Sequence, residues 1–118
     1  MLLSIILPAK SKDDPVLKNF LCSLTSQDLP KDQYEVLVET RGNSEQAKAY
    51  AIQRAQGDVL GFFCSDNYIR EQDFLSSMVR LALMPKFTGS YTSHYDYVRS
   101  DKPLSRYFAL LGANDPLC

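Results

Sequence analysis

Residues 2–7 read LLSIIL, an almost unbroken apolar run that predicts a β-strand covered on both faces. Two later runs have the same character: YEVLV at 34–38 and VLGFFC at 59–64. Helical patterns separate the three runs, and the connections are short. This alternation predicts an α/β fold of three layers, α/β/α, with a mostly parallel central sheet and right-handed crossovers.

The first two helices carry recognisable start signals. Asp13 and Asp14 precede Pro15, which is typical of a capped helix start. Asn43, with Gln46 three residues later, predicts a capping box that opens a helix through Ala55. The expected buried positions of the two helices are Val16, Leu17, Phe20, Leu21 and Leu24, then Ala47, Ala51, Ile52 and Ala55.

The remaining boundaries follow from glycine, proline and apolar spacing. Gly57 is the expected left-handed stop after the second helix. A third helix is predicted over 74–82, ending before Pro85. A short strand is expected over 88–92 and a last helix over 104–111.

Composition limits the class of protein. The 118 residues are 45% hydrophobic and 23% charged, which fits one globular domain over 1–118. A formal charge of −1 gives no general attraction to nucleic acid, so nucleic acid is not an expected partner. Three dispersed cysteines and one histidine argue against structural zinc and favour reduced thiols in the cytoplasm. The apolar start is too short and lacks the basic flank of a signal peptide, and no run is long enough to span a membrane.

Ligands of open parallel sheets bind beyond the carboxyl ends of the strands. The segments to consider are therefore 8–10 (PAK), 39–44 (ETRGNS) and 65–67 (SDN). No dinucleotide-binding GxGxxG, no P-loop and no GxSxG nucleophile elbow is present. Asp66 could hold a divalent cation against a departing diphosphate, although an Asp-Asn pair after a strand is also typical of a simple turn.

The chain resembles the first half of family 2 glycosyltransferases. Residues 4–8 (SIILP) resemble the family's SIIIP strand, and 21–27 (LCSLTSQ) match its LxSLxxQ helix motif. Residues 35–38 (EVLV) match EVIV. Residues 47–49 (AKA) and 55–67 (AQGDVLGFFCSDN) resemble the family's ARN and AxGDxIxFLDxDD. The resemblance covers about residues 4 to 67 in unbroken order.

This resemblance implies a truncated, Rossmann-like GT-A fold and an inverting, hexosyltransferase-type reaction. The donor would be a nucleoside diphosphate sugar, the cofactor Mg²⁺ or Mn²⁺, and the acceptor an unknown saccharide, lipid or protein. The acceptor-binding half would be absent, so a fragment of a longer protein is expected, with a naturally short protein as the alternative. The implied location is cytoplasmic, with membrane association left open for a full-length protein.

The family's motifs are incomplete in this chain. Ala9 and Lys10 replace a Thr-Tyr pair, Thr40 and Arg41 replace an Asp pair, and Cys64 replaces the first Asp of DxD. The resemblance assigns the metal to Asp66, and contacts to the base or ribose to Glu39 and Asp66. Arg41, Lys48 and Lys10 could offset the missing acidic groups by contacting phosphate directly. The predicted donor-binding residues are Pro8, Ala9, Lys10, Glu39, Arg41, Gly42, Lys48, Ser65, Asp66 and Asn67.

Several alternatives remain open at this stage. The eroded motifs fit a non-catalytic relative used for binding or assembly, and the alternation weakly fits a phospho-receiver domain. An unpaired sheet edge would allow two copies to form a homodimer. The catalytic base is unassigned, since Asp115 also fits a turn. Ordinary roles are the favoured interpretation of four further residues: solvated side chains for Arg41, Lys48 and His94 (rather than a metal ligand for His94), and a packed apolar residue for Cys64.

Overall fold

The computed structural model describes residues 1–92 and 102–104. The chain divides into two compact units, Met1–Thr88 and Gly89–Cys118. The candidate site lies entirely in the first unit. His94 and Asp115, and nearly all of the helix expected over 104–111, lie outside the described residues.

The first unit alternates strands and helices as predicted. The strands are β1 (Leu3–Pro8), β2 (Tyr34–Glu39) and β3 (Val59–Phe62), and the helices are α1 (Pro15–Leu24), α2 (Ser44–Arg54) and α3 (Phe74–Ala82), with a 3₁₀ turn at Lys31–Gln33. In the described part of the chain the sheet has the order β2-β1-β3 and both pairings are parallel. The coarse prediction of an α/β fold with a parallel sheet is therefore confirmed.

The central strand separates two differently packed faces. Leu3, Ile5 and Leu7 point to one side and are almost completely buried. They pack in one apolar cluster with residues of α1 and α3, including Phe20 and Leu75. Helix α2 instead contacts β1 and β2 from the other side, where its small residues Ala47 and Ala51 are buried.

The two capped helix starts form as the sequence predicts. The Asp14 side chain accepts a hydrogen bond from Val16 N, and Pro15 occupies the first turn of α1. At α2, Asn43 and Gln46 form the reciprocal capping box. Within the helices, however, Val16 and Ile52 are 44% and 41% exposed, so their predicted burial is wrong. Each lies on the flank of its helix, beside the stripe that meets the sheet.

Gly57 has a different role from the one expected. Helix α2 ends at Arg54 with an extended residue, Ala55, as its cap, and Gly42 is the one described glycine with positive φ. Gly57 instead approaches β1 so closely that an added Cβ would lie 2.5 Å from Ser4 N. Its own N–H donates to Ser4 Oγ at 2.8 Å. Close packing on β1, and not left-handed backbone, explains this glycine.

Two strand predictions also need correction. Strand β3 ends at Phe62, not Cys64, because a turn begins at Cys64. The strand expected over 88–92 is wrong, since these residues have no regular structure. On its outer side β3 has no partner strand among the described residues, and Leu60 and Phe62 are exposed. The homodimer through this edge stays a prediction.

Candidate functional site

The candidate site is the edge of the sheet where the chain leaves β1 and β2. From β1 the chain passes to α1 on one face, and from β2 it passes to α2 on the other. Neighbouring strands whose connections diverge in this way leave a crevice between their carboxyl ends. Pro8 pairs with Glu39, and the ladder continues as Ala9 N donates to Glu39 O at 3.0 Å. The predicted segment 8–10 therefore lies beside the segment that begins at Glu39.

Glu39 is the most tightly held polar side chain of this edge. Its side chain is 6% exposed. Its Oε1 accepts hydrogen bonds from Thr40 N, Arg41 N and Arg41 Nε at 2.9–3.1 Å. Its Oε2 accepts from Arg41 Nη2 and Arg54 Nη2, both at 3.0 Å. These contacts occupy the directions in which a ribose hydroxyl or a base would otherwise donate.

The electrostatics of Glu39 follow from those contacts. Chiefly through the hydrogen bond from the Arg41 side chain, the pKa of Glu39 is lowered to about 2, although its burial acts in the opposite direction. The same hydrogen bond raises the pKa of Arg41. Glu39 is therefore an anion at any physiological pH, and it serves in this structure as an anchor for arginine.

Arg41 is held on one edge and on one face. Its Nε and Nη2 form a two-point contact with the Glu39 carboxylate. Its guanidinium carbon lies 4.3 Å from the centre of the Tyr50 ring, a cation–π geometry. Nevertheless 61% of the side chain is exposed. Among the described residues no acceptor meets its Nη1.

Gly42 and Lys48 have structural explanations. Gly42 has φ +70°, a backbone conformation that is strained in residues with a side chain. It lies where the chain turns from β2 into the capping box of α2. Lys48 forms an ion pair with Glu45 at 3.0 Å on the outer surface of α2. The charge of Lys48 is therefore partly balanced by a neighbour one turn away.

The loop after β3 contains a turn closed by Asn67. Asn67 N donates to Cys64 O at 3.1 Å, and Cys64 N donates to Asn67 Oδ1 at 2.8 Å. Ser65 and Asp66 are the central residues of this turn, and Asp66 is exposed. Cys64 is exposed as well, so the alternative of a packed apolar residue is wrong. The amide oxygen of Asn67 is thus hydrogen-bonded within the turn.

A resident metal ion requires more ligands than this turn offers. In the described ranges, 1–92 and 102–104, no group of three or more His, Cys, Asp or Glu side chains could hold one. Mg²⁺ can be bound by one carboxylate when substrate phosphates supply further oxygens. A cation at Asp66 would therefore need further oxygen ligands, such as those of a bound diphosphate.

Two polar side chains, one in α1 and one just after it, hold the loop that follows β3. The buried Ser23 hydroxyl donates to Phe20 O at 2.6 Å and accepts from Ile69 N at 3.2 Å. Gln27 donates to Glu71 O at 2.7 Å and accepts from Leu75 N at 3.0 Å, which caps α3 from outside. The sequence singled out both residues as part of the LxSLxxQ match, but it gave no sign of these contacts.

The sequence also missed Tyr50 and Arg54, which complete the surroundings of Glu39. Tyr50 and Arg54 are four residues apart on α2 and therefore lie on the same side of the helix, which was the available signal that they act together. A separate open groove of about 520 Å³ lies near the start of β1 and is lined by Leu2, Val79, Leu83 and other residues. That groove is at the amino end of the sheet, away from the segments that carry Glu39 and Asp66.

Comparison of the chain with family models, with curated proteins and with solved structures found no match. The resemblance to family 2 glycosyltransferases therefore stays a prediction. None of the helices in the described part of the chain is both long and apolar enough to cross a bilayer.

Proposed function

We propose that the first unit binds the nucleoside diphosphate part of a sugar donor, as the donor-binding half of an inverting glycosyltransferase with a GT-A-like fold. The observation that carries the proposal is the exposed Arg41, in the segment that follows β2 and beside the segment 8–10 that follows β1. Open parallel sheets bind nucleotides at such a point. The order of family-like motifs along residues 4–67 supports the same function.

The parts of the reaction are proposed to be divided between this chain and a second half. The described residues bind and orient the donor, whereas the catalytic base and the contacts to the acceptor (a saccharide, lipid or protein) would come from outside them. Asp66 is exposed beside the sheet edge and could ligate Mg²⁺ or Mn²⁺ only together with the donor's phosphates. The proposed location is cytoplasmic.

A second candidate is a non-catalytic relative that binds a nucleotide or assembles with another chain. The observation that favours it is the state of Glu39, whose carboxylate is held by Arg41 and Arg54. Such a relative would keep the crevice without turning over a donor.

Thermal unfolding of the chain with UDP and GDP, each with Mn²⁺ or with EDTA, tests donor binding. A ligand at 100 times its dissociation constant adds about 2.7 kcal/mol, which corresponds to roughly 8–12 °C for a domain of this size. Asp66→Asn should remove any increment that depends on Mn²⁺. The matched control is Asp32→Asn, an exposed carboxylate in the 3₁₀ turn at the other end of the sheet.

Release of sugar from UDP- and GDP-sugars, measured on the same samples, separates the two candidates. Turnover above the rate without protein supports the transferase. Binding with no turnover favours the non-catalytic relative. If neither nucleotide raises the unfolding temperature, with or without metal, donor binding is refuted.

A further inference from the structure

We propose that Arg41 is a preformed phosphate-binding group, and that a diphosphate bound in the crevice is held by this guanidinium without a divalent cation. The proposal deepens the proposed function, on which it rests for the identity of the ligand as a nucleotide. The positive charge that contacts the diphosphate would then come from a side chain in the connection between β2 and α2.

The first support is the fixed orientation of the guanidinium. Glu39 binds its Nε and Nη2 edge in a fork geometry, and Tyr50 covers one face. A long side chain normally loses rotamer freedom when it binds a ligand, which weakens binding. Since Arg41 is already restrained before the ligand arrives, that loss is smaller here.

The second support is the unused donor capacity of Arg41. Arginine carries N–H groups on three nitrogens, and its planar fork matches phosphate oxygens. In the described structure the Nη1 hydrogens have no protein acceptor, while most of the side chain faces solvent. The open edge and the open face are thus available to an oxyanion in the crevice.

The third support is local charge. Glu39 contributes one negative charge, whereas Arg41 and Arg54 contribute two positive charges, so the cluster keeps an excess positive charge. Glu39 remains ionised because its pKa is lowered to about 2, so it keeps holding Arg41 while a phosphate binds. Charge-assisted hydrogen bonds from such a group to phosphate are among the stronger polar contacts in proteins.

Two other charged candidates, Lys48 and Asp66, are less suited to the same task. Lys48 is paired with Glu45 on the outer surface of α2. Asp66 belongs to no group of three or more His, Cys, Asp or Glu side chains that could hold a metal ion in the described part of the chain. Arg41 thus combines exposure, restraint and free donors close to the carboxyl ends of β1 and β2.

Titration calorimetry of the full chain tests the proposal with three probes: UDP, GDP and inorganic pyrophosphate, each in EDTA and in Mn²⁺. Arg41→Gln should weaken binding in EDTA by about 10- to 100-fold, the range expected for losing hydrogen bonds to a charged group. Lys31→Gln makes the same charge change on the 3₁₀ turn at the opposite end of the sheet and should alter binding less than twofold. Replacing EDTA with Mn²⁺ should change the wild-type affinity less than about twofold.

Arg41→Lys keeps the positive charge beside Glu39 and guards against loss of the fold. Its binding should still fall about fivefold or more, because lysine lacks the planar fork. Circular dichroism establishes that each variant is folded. The proposal is overturned if each of these two Arg41 variants that folds binds the probes within twofold of the wild type.

The probes also separate this proposal from the proposed function. Nucleotide binding that requires Mn²⁺ and is lost in Asp66→Asn would overturn the role of Arg41 and leave donor binding intact. Pyrophosphate binding that depends on Arg41 and is as tight as UDP and GDP binding would support the role of Arg41 and remove the nucleotide function. Failure of all three probes to bind would overturn both.

Discussion

Replacing Gly57 with alanine should destabilise the chain through one steric contact. An alanine Cβ would lie 2.5 Å from Ser4 N and 2.7 Å from the Leu3 carbonyl carbon. Both are backbone atoms of the central strand, so neither can rotate away as the end of a side chain could. Gly57 has no positive φ, so backbone strain is not part of the effect.

The size of the effect follows from how the clash is relieved. Inserting a methyl group into a tightly packed site costs about 1–3 kcal/mol. Moving Gly57 away would also weaken its hydrogen bond to Ser4 Oγ and the neighbouring Gln56 N to Glu35 contact, each worth about 1 kcal/mol. Alanine recovers about 0.4–1 kcal/mol by restricting the unfolded chain. The net expectation is a loss of about 1.5–3 kcal/mol, or a midpoint lower by about 6–12 °C.

Urea unfolding followed by far-ultraviolet circular dichroism measures this loss. Gly89→Ala is the control, because its added Cβ meets nothing within 4 Å, and its stability should change by less than about 0.5 kcal/mol. Gly61→Ala is intermediate, since the atoms nearest to its Cβ would be side-chain atoms of Leu3 and Phe63, at 3.3 Å. If Gly57→Ala is as stable as Gly89→Ala, with an unchanged urea dependence, the steric reasoning is refuted.

Three further predictions concern polar contacts of the first unit. Glu39→Gln should be less stable than the wild type above pH 4.5, and the difference should shrink as the pH falls towards about 2. The reason is that the pKa of Glu39 is lowered to about 2, so its carboxylate stabilises the folded state only while it is charged. A difference in thermal unfolding that stays constant across this range would contradict the prediction. Ser23→Ala should cost about 1–3 kcal/mol in urea unfolding by leaving Ile69 N without its acceptor, and a change below about 0.5 kcal/mol would be inconsistent with that contact. Asn43→Ala should cost about 1 kcal/mol whereas Asn43→Asp should be nearly neutral, and equal losses in both would argue against capping.

Local signals in the sequence predicted the local parts of the fold well. The start of α1 at Asp14 and Pro15 and the capping box at Asn43 depend on residues within one turn, and both are confirmed. The apolar runs predicted three strands because burial on both faces demands continuous hydrophobic residues. Errors arose where the outcome depends on a distant partner. The exposure of Ile52 and the close approach of Gly57 to Ser4 are both set by how α2 and the residues after it lie on the sheet.

The candidate site was predicted in its position but not in its contacts. Parallel topology alone selects the segments that begin at Pro8 and Glu39, since both follow strands at the same edge. The partners of Glu39 could not be inferred in the same way. Arg54 lies 15 residues further along the chain and reaches Glu39 only because α2 folds back over β2. A buried carboxylate at a strand end does imply some cation, but the sequence offers several.

The arrangement around Glu39 changes what metal dependence can reveal about function. A glycosyl transfer must stabilise the charge that develops on a departing diphosphate, and either a divalent cation or a fixed guanidinium can supply that stabilisation. Since Glu39 is committed to Arg41 and Arg54, the polar group that the crevice offers to a ligand is positive. Metal-independent binding would therefore fit an active transferase as well as a non-catalytic relative. What separates the two is whether the bond between sugar and phosphate breaks, because only the active enzyme binds the separating charges more strongly than the intact donor.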